Sequence, residues 1–341
     1  MKLLVTGTAG FIGYHLSKRL AEQGHNIVCI DNINDYYDVE LKYGRLAALG
    51  FKHELIEPNA DDPVFSENFP SIRFKKIDLC DAEGIKKLFA DNRFDIVLHL
   101  AAQAGVRYSL SNPYAYSSAN VHGFLALLEA ARFYPPSHLV YASSSSVYGL
   151  NTKTPFSEND AVNQPVSLYA ATKRANELMA HTYGYLYKIP TTGLRFFTVY
   201  GPWGRPDMAP FIFTNAILNG KPINVFNNGN MKRDFTFIDD VIEGIIRVMN
   251  LIPNGNTENP VPAAIYNIGN GGPVELMDFV RTLEKALDKK ALIQHSPMQP
   301  GDVIETWADC SALQRDTGFC PGTTLSSGIR QFVSWYREYY A

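Results

Sequence analysis

A tyrosine and a lysine stand four residues apart in the segment "SLYAATKRANELMAHTYGYLY". If this segment is helical, Tyr169 and Lys173 point the same way, because residues i and i+4 share one face of a helix. A nearby ammonium stabilises a phenolate and lowers its pKa, which makes a tyrosine a usable general base. Alone, the same spacing would equally fit an amphipathic tyrosine beside a surface lysine, so the rest of the chain has to decide.

Three glycines near the N-terminus have the spacing of a phosphate-binding turn. In "LLVTGTAGFIGYHL", Gly7, Gly10 and Gly13 follow a predicted strand and open a predicted helix. Glycines permit a tight turn and let backbone N–H groups approach a pyrophosphate at the helix N-terminus. The next predicted strand, "NIVCID", ends at Asp31. That carboxylate can accept hydrogen bonds from ribose hydroxyls and would repel a 2'-phosphate, so we expect NAD rather than NADP, although Asp31 could also cap the following loop.

Further cofactor contacts are expected at the neighbouring strand ends. Asp78 ends the run "KKIDL" and is placed to meet an adenine, but an aspartate after a strand is also a common helix cap. The complete predicted cofactor set is Gly7, Gly10, Phe11, Ile12, Gly13, Asp31, Asn32, Asp78, Leu79, Leu100, Ala101, Ala102, Gln103, Tyr169 and Lys173.

Four consecutive serines, residues 143–146, end another hydrophobic run in "LVYASSSSVYG". Serine hydroxyls often bond nearby backbone at strand ends and turns, so a purely structural turn is the plain interpretation. The alternative is that these hydroxyls face a substrate beside Tyr169.

The elements that must position these residues alternate along the chain. Short apolar runs such as "KLLVT", "NIVCID", "DIVLHLAA" and "IPTTGLRFF" are separated by longer amphipathic segments. This pattern predicts an α/β fold in which a doubly wound parallel sheet is covered by helices on both faces. After about Phe196 the chain becomes richer in Gly and Pro loops, which predicts a smaller, less regular α/β region that supplies a ligand face.

Composition excludes several classes of function. The net charge of -3 gives no basic field for nucleic acid or anionic membrane, and no apolar stretch approaches the length of a membrane span. The cysteines Cys29, Cys80, Cys310 and Cys320 have no CxxC spacing, so we expect reduced thiols and no metal site. Together these features predict a cytoplasmic protein.

The motifs occur in the order found in one enzyme family. The sequence resembles the extended short-chain dehydrogenase/reductases, the NAD-dependent epimerase/dehydratase family, over essentially its full length. Besides the glycine turn and the Tyr169/Lys173 pair, the resemblance is carried by "DNINDYYDVELKYGRL", "HLAAQAGVRYS", "YASSSSVYG", "LRFFTVYGPWGRPDMA", "KRDFTFIDDV" and "QPGDV". It implies a Rossmann cofactor domain over residues 1–195 and a mainly substrate-binding domain over 196–341, with segments near 235–268 returning to the first domain.

The resemblance also implies residue roles. Tyr169 would be the base, Lys173 its partner and a ribose contact, and Ser144 the hydroxyl between the base and the sugar. The other expected substrate contacts are Ser145, Ser146, Thr198, Arg205, Phe226 on the uracil, Arg233 on the phosphates of UDP, and Asp302 on the uridine ribose. Asn120 would position the catalytic groups, although a helical asparagine could also bond locally. A homodimer is implied as well.

The activity implied is C4 epimerisation of UDP-glucuronate to UDP-galacturonate through a 4-keto sugar. Dehydratases of this family carry an acidic pair where this chain has Ser145 and Ser146, and uronate decarboxylases carry a glutamate at the position of Ser146. A neutral UDP-glucose or UDP-N-acetylglucosamine as substrate, decarboxylation or reduction on the same scaffold, and a non-catalytic dinucleotide sensor remain the alternatives.

Overall fold

The computed structural model describes residues 1–56, 62–255, 257, 260–299 and 302–340. In chain order, the strands are β1 (Lys2–Thr6), β2 (Asn26–Asp31), β3 (Val64–Phe65), β4 (Ile72–Lys76), β5 (Ile96–His99), β6 (His138–Ser144), β7 (Thr191–Phe196), β8 (Thr198–Tyr200), β9 (Pro222–Phe226), β10 (Lys232–Arg233), β11 (Phe235–Phe237), β12 (Ala263–Ile268), β13 (Val274–Glu275), β14 (Leu292–Ser296) and β15 (Glu305–Thr306).

The α-helices are α1 (Phe11–Glu22), α2 (Val39–Ala48), α3 (Ala82–Asn92), α4 (Tyr108–Ser111), α5 (Pro113–Tyr116), α6 (Gly123–Phe133), α7 (Leu168–Tyr187), α8 (Ala209–Leu218), α9 (Ile238–Met249), α10 (Leu276–Leu287), α11 (Ser311–Thr317) and α12 (Leu325–Tyr340). Short 3₁₀ turns span His53–Leu55, Ser145–Tyr148 and Asn227–Gly229, and a π-helical segment spans Ser117–His122. None of the helices in the described ranges is long and apolar enough to cross a membrane.

The large sheet has eight strands in the order β12-β7-β6-β5-β1-β2-β4-β3. All neighbouring pairs are parallel except β3 and β4. From β1 the chain first adds strands on one side, through β2 and β4, and later on the other, through β5, β6 and β7. In such sheets the ligand lies at the carboxyl ends of the strands where the order reverses, here β1 and β5. The predicted doubly wound parallel sheet is confirmed.

Hydrophobic residues on both faces of the strands hold the helices against this sheet. In β1, Leu3 and Val5 belong to a core cluster that includes residues of α1 and α9. Leu4 points to the opposite face, where α3, α6 and α7 contribute to a second cluster. Alternate side chains of a strand face opposite sides, so near-continuous apolar strands require cover on both faces.

The C-terminal part of the chain forms smaller sheets and also returns to the large one. Three small sheets pair β13-β10-β15, β11-β8 and β14-β9. Strand β12 pairs in parallel with β7 at the edge of the large sheet, so residues beyond 196 complete that sheet. The division at residue 195 stays a prediction.

Candidate active site

A cavity of about 400 Å³ opens at the carboxyl ends of β1, β5 and β6. Its lining includes the following predicted site residues: Gly7, Gly10, Phe11, Ile12, Gly13, Asp31, Asn32, Asp78, Leu79, Leu100, Ala101, Ala102, Gln103, Ser144, Ser145, Ser146, Tyr169, Lys173, Thr198, Arg205, Arg233 and Asp302. Of the residues predicted to contact a ligand, only Phe226 is absent from this lining.

The glycine turn brings β1 and α1 unusually close. Gly7 has a φ of +77°, and a Cβ on it would lie 2.7 Å from the backbone nitrogen of Ala101. A Cβ on Gly13 would lie 2.0 Å from the carbonyl oxygen of Gly7, so only glycine allows the helix to start this near the turn. Helix α1 has Gly10 at its N-cap and no side-chain cap, which leaves its first N–H groups to an anionic ligand.

Asp31 lies at the end of β2 with its carboxylate fixed by backbone donors. Its oxygens accept hydrogen bonds from the N–H groups of Ala9 at 3.1 Å and Ile33 at 2.8 Å. Burial raises the pKa of Asp31, against the charge of Lys42 and these hydrogen bonds. A buried carboxylate with further acceptor capacity suits ribose hydroxyls, which donate hydrogen bonds without adding charge.

Asp78 is also held in place. Its carboxylate accepts from Asn32 Nδ2 at 2.8 Å and from the N–H group of Cys80 at 2.8 Å. Burial alone would raise the pKa of Asp78, but these hydrogen bonds lower it. With the uncapped helix and the Asp31 carboxylate, the residues fit NAD: a pyrophosphate would lie at α1, and the adenosine between Asp31 and Asp78.

Tyr169 and Lys173 lie at the start of α7, which Ser167 caps by accepting from the N–H group of Ala170 at 3.1 Å. Lys173 Nζ donates to the carbonyl oxygen of Ala142 at 3.0 Å, and burial lowers the pKa of Lys173 to about 8. Burial raises the pKa of Tyr169, while the Ser144 hydroxyl lowers it. In the chain without a bound cofactor, burial outweighs these polar groups, so the expected lowering of the Tyr169 pKa, which also relies on the positive charge of a bound nicotinamide, stays a prediction.

The four serines divide into two roles. Ser143 Oγ donates to Glu177 Oε1 at 2.7 Å, behind the strand. Ser144 caps the 3₁₀ turn, since its Oγ accepts from Ser146 N at 3.2 Å and from Ser146 Oγ at 2.9 Å. A serine hydroxyl has one hydrogen and two lone pairs, so Ser144 keeps its hydrogen for a neighbour such as Tyr169 or a sugar oxygen. The turn interpretation and the substrate interpretation are compatible.

Arg233 and Asp302 line the cavity, and Arg107 contacts Asp302. Arg107 Nη2 donates to Asp302 Oδ2 at 3.2 Å, and its guanidinium lies 4.9 Å from the centre of the Phe226 ring. Burial lowers the pKa of Arg233, against the charge of Asp302 and together with that of Arg107. Arg107 pairs with Asp302, while Arg233 donates to the carbonyl oxygens of Lys232 at 2.8 Å and Ile304 at 3.1 Å, so two guanidinium charges stand near one carboxylate and leave a net positive charge suited to a diphosphate.

Three comparisons place these features among known proteins. The model of the NAD dependent epimerase/dehydratase family matches residues 3–269. The chain belongs to this family. A probable UDP-glucuronate 4-epimerase of Rhizobium meliloti (strain 1021) is 45% identical over 100% of this chain and 98% of its own length. UDP-glucuronate 4-epimerase 4 of Arabidopsis thaliana is 46% identical over 99% of this chain and 76% of its own.

Among solved structures, UDP-glucuronic acid 4-epimerase from Bacillus cereus in complex with UDP-glucuronic acid and NAD superposes with a TM-score of 0.86. It is 32% identical, and the match covers 100% of both chains. The predicted family membership and the NAD dependence of the family are thus confirmed.

Asn120 and Glu177 connect helix α7 of this epimerase/dehydratase family member to the elements around it. Asn120, in the π-helical segment, accepts from Gln103 N at 2.8 Å and donates to Thr172 Oγ1 at 3.1 Å, which joins the loop after β5 to α7. Glu177 pairs with Arg195 of β7, with 2.9 Å contacts from Nε and Nη2. Sequence reasoning missed Glu177, although it follows Lys173 by four residues on the same helix face.

Sequence reasoning also gave no role to Arg107, Tyr36 and Asp207. Tyr36 donates to Asp207 Oδ2 at 2.9 Å, and Asp207 binds Arg205. The available signal was weak: all three lie inside the stretches that carried the family resemblance, but nothing in their spacing indicates their partners.

Proposed function

We propose that the protein is a UDP-glucuronate 4-epimerase that interconverts UDP-glucuronate and UDP-galacturonate. The observation that carries this proposal is the hydroxyl-only surface of Ser144, Ser145 and Ser146 beside Tyr169. No carboxylate occupies positions 145 and 146, where elimination or decarboxylation would use one. The Rhizobium, Arabidopsis and Bacillus proteins described above support the same assignment by their names.

In this proposal Tyr169 takes the proton from the C4 hydroxyl, and Ser144 bridges the two oxygens. Bound NAD would supply a hydride acceptor for C4 and, in its reduced form, a hydride donor to the opposite face of the keto sugar. Tyr169 then gives the proton back to the C4 oxygen, which restores the base for the next cycle, and C4 is inverted because hydride leaves and returns on opposite faces of the sugar. Arg107, Arg233 and Asp302 hold the UDP moiety while the sugar turns.

The uronate carboxylate needs protection during this cycle. A 4-keto uronate is a β-keto acid and loses carbon dioxide when its carboxylate bond is aligned with the carbonyl π-system. Hydroxyls of Ser145, Ser146 and Thr198 line the cavity and are proposed to hold the carboxylate away from that alignment, with the Ser146 hydroxyl turning from Ser144 to the carboxylate. If three neutral hydrogen bonds become charged ones at about 1 kcal/mol each, the preference for a uronate over a neutral sugar is roughly a hundredfold.

Product analysis tests the proposal. Purified protein is incubated with UDP-glucuronate and catalytic NAD, and products are resolved by NMR and mass spectrometry. We expect UDP-galacturonate with little UDP-pentose. UDP-pentose as the main product would assign a decarboxylase, and faster conversion of UDP-glucose or UDP-N-acetylglucosamine would assign a neutral-sugar epimerase.

We also propose a cytoplasmic homodimer. The exposed apolar side chains of Leu125 on α6 and of Leu178, Tyr185 and Leu186 on α7 support an interface at these helices. All four cysteines are free thiols, which suits a reducing compartment. Light scattering of the purified protein tests the dimer, and a monomeric mass at micromolar concentration would contradict it.

We also propose a division into a cofactor-binding part, residues 1–195, and a mainly substrate-binding part, residues 196–341. Residues 1–195 hold all of the predicted cofactor residues, and 196–341 contribute Thr198, Arg205, Arg233 and Asp302 to the substrate end. The return of residues 263–268 to the large sheet supports a shared boundary rather than two separable units.

A further inference from the structure

Arg205 lines the cavity already paired with a carboxylate of the protein. Its Nε donates to Asp207 Oδ1 at 2.9 Å and its Nη2 donates to Asp207 Oδ2, so both carboxylate oxygens are engaged. Asp207 Oδ2 also accepts from the Tyr36 hydroxyl at 2.9 Å. Across the described part of the chain, Arg205 Nη1 has no hydrogen-bond partner. The guanidinium therefore offers one nitrogen to a substrate rather than a two-nitrogen fork.

Both members of the pair keep their charges. Burial opposes ionisation of Asp207, but the Arg205 guanidinium and the Tyr36 hydroxyl hold its pKa below the usual value. Burial would lower the pKa of Arg205, but the Asp207 carboxylate raises it above the usual value. The two side chains are only 22% and 28% exposed. A substrate carboxylate that approaches Nη1 therefore interacts with the positive charge of Arg205 and with the fixed negative charge of Asp207, in a site partly shielded from water.

The pair lies within electrostatic reach of the proposed base. The positive charge of Arg205 lowers the pKa of Tyr169, and the negative charge of Asp207 raises it, with burial the larger influence. Arg205 and Tyr169 both line the cavity, so the guanidinium faces the space beside the proposed base, and Asp207 changes the charge that the guanidinium presents there.

Tyr36 reaches Asp207 from the cofactor side of the molecule. It lies in the loop that follows β2 and Asp31, and its hydroxyl passes over Gly105. A Cβ on Gly105 would lie 2.5 Å from the Tyr36 oxygen, and Gly105 has a φ of +100°, so a side chain at position 105 would displace Tyr36. The loop of the predicted adenosine site thereby fixes the orientation of Asp207.

We propose that Asp207, held by Tyr36, is a positioning residue that keeps Arg205 from gripping the substrate carboxylate tightly. The inference rests on the proposed function. An epimerase must let its 4-keto sugar detach and turn over within the site, and strong binding of the ground-state carboxylate would oppose that turn. An unpaired arginine binds a carboxylate through two parallel, charge-assisted hydrogen bonds. Pairing with Asp207 weakens this contact, so the site gives up uronate affinity and gains turnover.

The test compares ligands with and without the carboxylate. Asp207→Asn keeps the side-chain size and one acceptor oxygen but removes the negative charge. Calorimetric titration of the NAD-loaded variant uses UDP-glucuronate, UDP-glucose and UDP as probes. We expect the Kd of UDP-glucuronate to fall by about fivefold, because its carboxylate then meets the Arg205 guanidinium without the opposing negative charge of Asp207, while UDP-glucose and UDP stay within about twofold. The kcat for epimerisation should fall by about as much as KM.

Two further variants keep the test decisive. Tyr36→Phe removes only the donor to Asp207, so it should shift the ratio of uronate to neutral-sugar affinity in the same direction by about threefold. Asp278→Asn is the matched control, because Asp278 belongs to an exposed pair with Arg281 on α10, and all three affinities should stay unchanged.

The inference is overturned if Asp207→Asn changes the affinities for UDP-glucuronate and UDP-glucose in parallel. It is also overturned if this variant binds UDP-glucuronate more weakly than the wild type. If Asp207→Asn does not fold, an unchanged affinity ratio in Tyr36→Phe does the same. The proposed function fails separately, on wild-type protein that forms no UDP-galacturonate, whereas the binding ratios report on the Arg205–Asp207 pair without turnover.

Discussion

Replacing Glu177 by glutamine removes one charge from the network behind the serine strand while hardly changing the size of the side chain. Glu177 is 4% exposed and accepts hydrogen bonds from Arg195 at 2.9 Å through both oxygens, from Ser143 at 2.7 Å and from Arg174 at 2.9 Å. Glutamine has one acceptor oxygen, so part of the Arg195 guanidinium loses its partner. The positive charge of Arg195, itself buried, is then left without a neutralising carboxylate.

The expected loss of stability follows from this geometry. Removing one partner of a buried pair costs about 3–5 kcal/mol, because the other charge stays buried and uncompensated. A chain of 341 residues has an unfolding entropy of about 0.7 kcal/mol/K. Glu177→Gln should therefore lower Tm by about 4–7 °C at pH 7.

The effect should depend on pH in a defined direction. Burial alone would raise the pKa of Glu177, but Arg195 and the other donors lower it below the ordinary value of 4.5. A depressed folded-state pKa stabilises the protein above the unfolded pKa, and that stabilisation is lost as pH falls through the folded value. The difference between wild type and variant should thus be full at pH 7 and shrink below about pH 4.5.

Calorimetry at pH 7 and at a pH below about 4.5 measures the Tm of wild type and variant. The matched control is Glu243→Gln, because Glu243 pairs with Arg247 at 2.6 Å on the surface, with side chains 33% and 42% exposed. That variant should shift Tm by less than about 1 °C. If Glu177→Gln lowers Tm by no more than Glu243→Gln does, the buried pair contributes no more than a surface pair and the reasoning is refuted.

Three predictions concern the site itself. Asp31→Ala should weaken NAD binding or admit NADP, as measured by acid extraction and chromatography of the bound nucleotide; NADP in the wild-type protein would contradict the role of Asp31. Tyr169→Phe should reduce turnover by at least about 100-fold with UDP binding little changed, and near-normal turnover would place the base elsewhere. Ser146→Ala and Thr198→Ala should each raise the share of UDP-glucuronate lost as carbon dioxide, measured by NMR; unchanged partitioning would leave Ser146 with its turn role alone.

The parts of the site that sequence could predict are those encoded by short spacing. Gly7, Gly10 and Gly13 form one turn, and Tyr169 and Lys173 share one helix face, so their neighbours in space are also neighbours in sequence. The alternation of apolar strands and amphipathic helices likewise led to the doubly wound sheet. In each case the local pattern contains the physical cause of the structure.

The parts that sequence could not predict are pairings between distant loops. Tyr36 and Asp207 are 171 residues apart, and Arg107 and Asp302 are 195 apart. No local periodicity relates such residues, since tertiary packing alone brings their loops together. The surroundings of Tyr169 and Lys173 were not predictable for a related reason: their separation along the helix can be read from the sequence, but the burial of Tyr169 and the Ala142 carbonyl that receives the Lys173 ammonium cannot.

A rigid frame and a loosely held sugar are complementary requirements of the proposed reaction. Arg45 is fully buried and donates to Ala9 O at 2.8 Å, beside the glycine turn, and to Trp203 O at 2.7 Å, in the loop that carries Arg205. This arginine fixes the sugar-end loop to the cofactor turn. C4 must meet the same cofactor position from both sugar faces. Movement of the loop relative to the turn would therefore misplace C4 in one of the two half-reactions and slow it. Mobility is therefore best confined to the sugar, whose carboxylate faces an arginine already neutralised by Asp207.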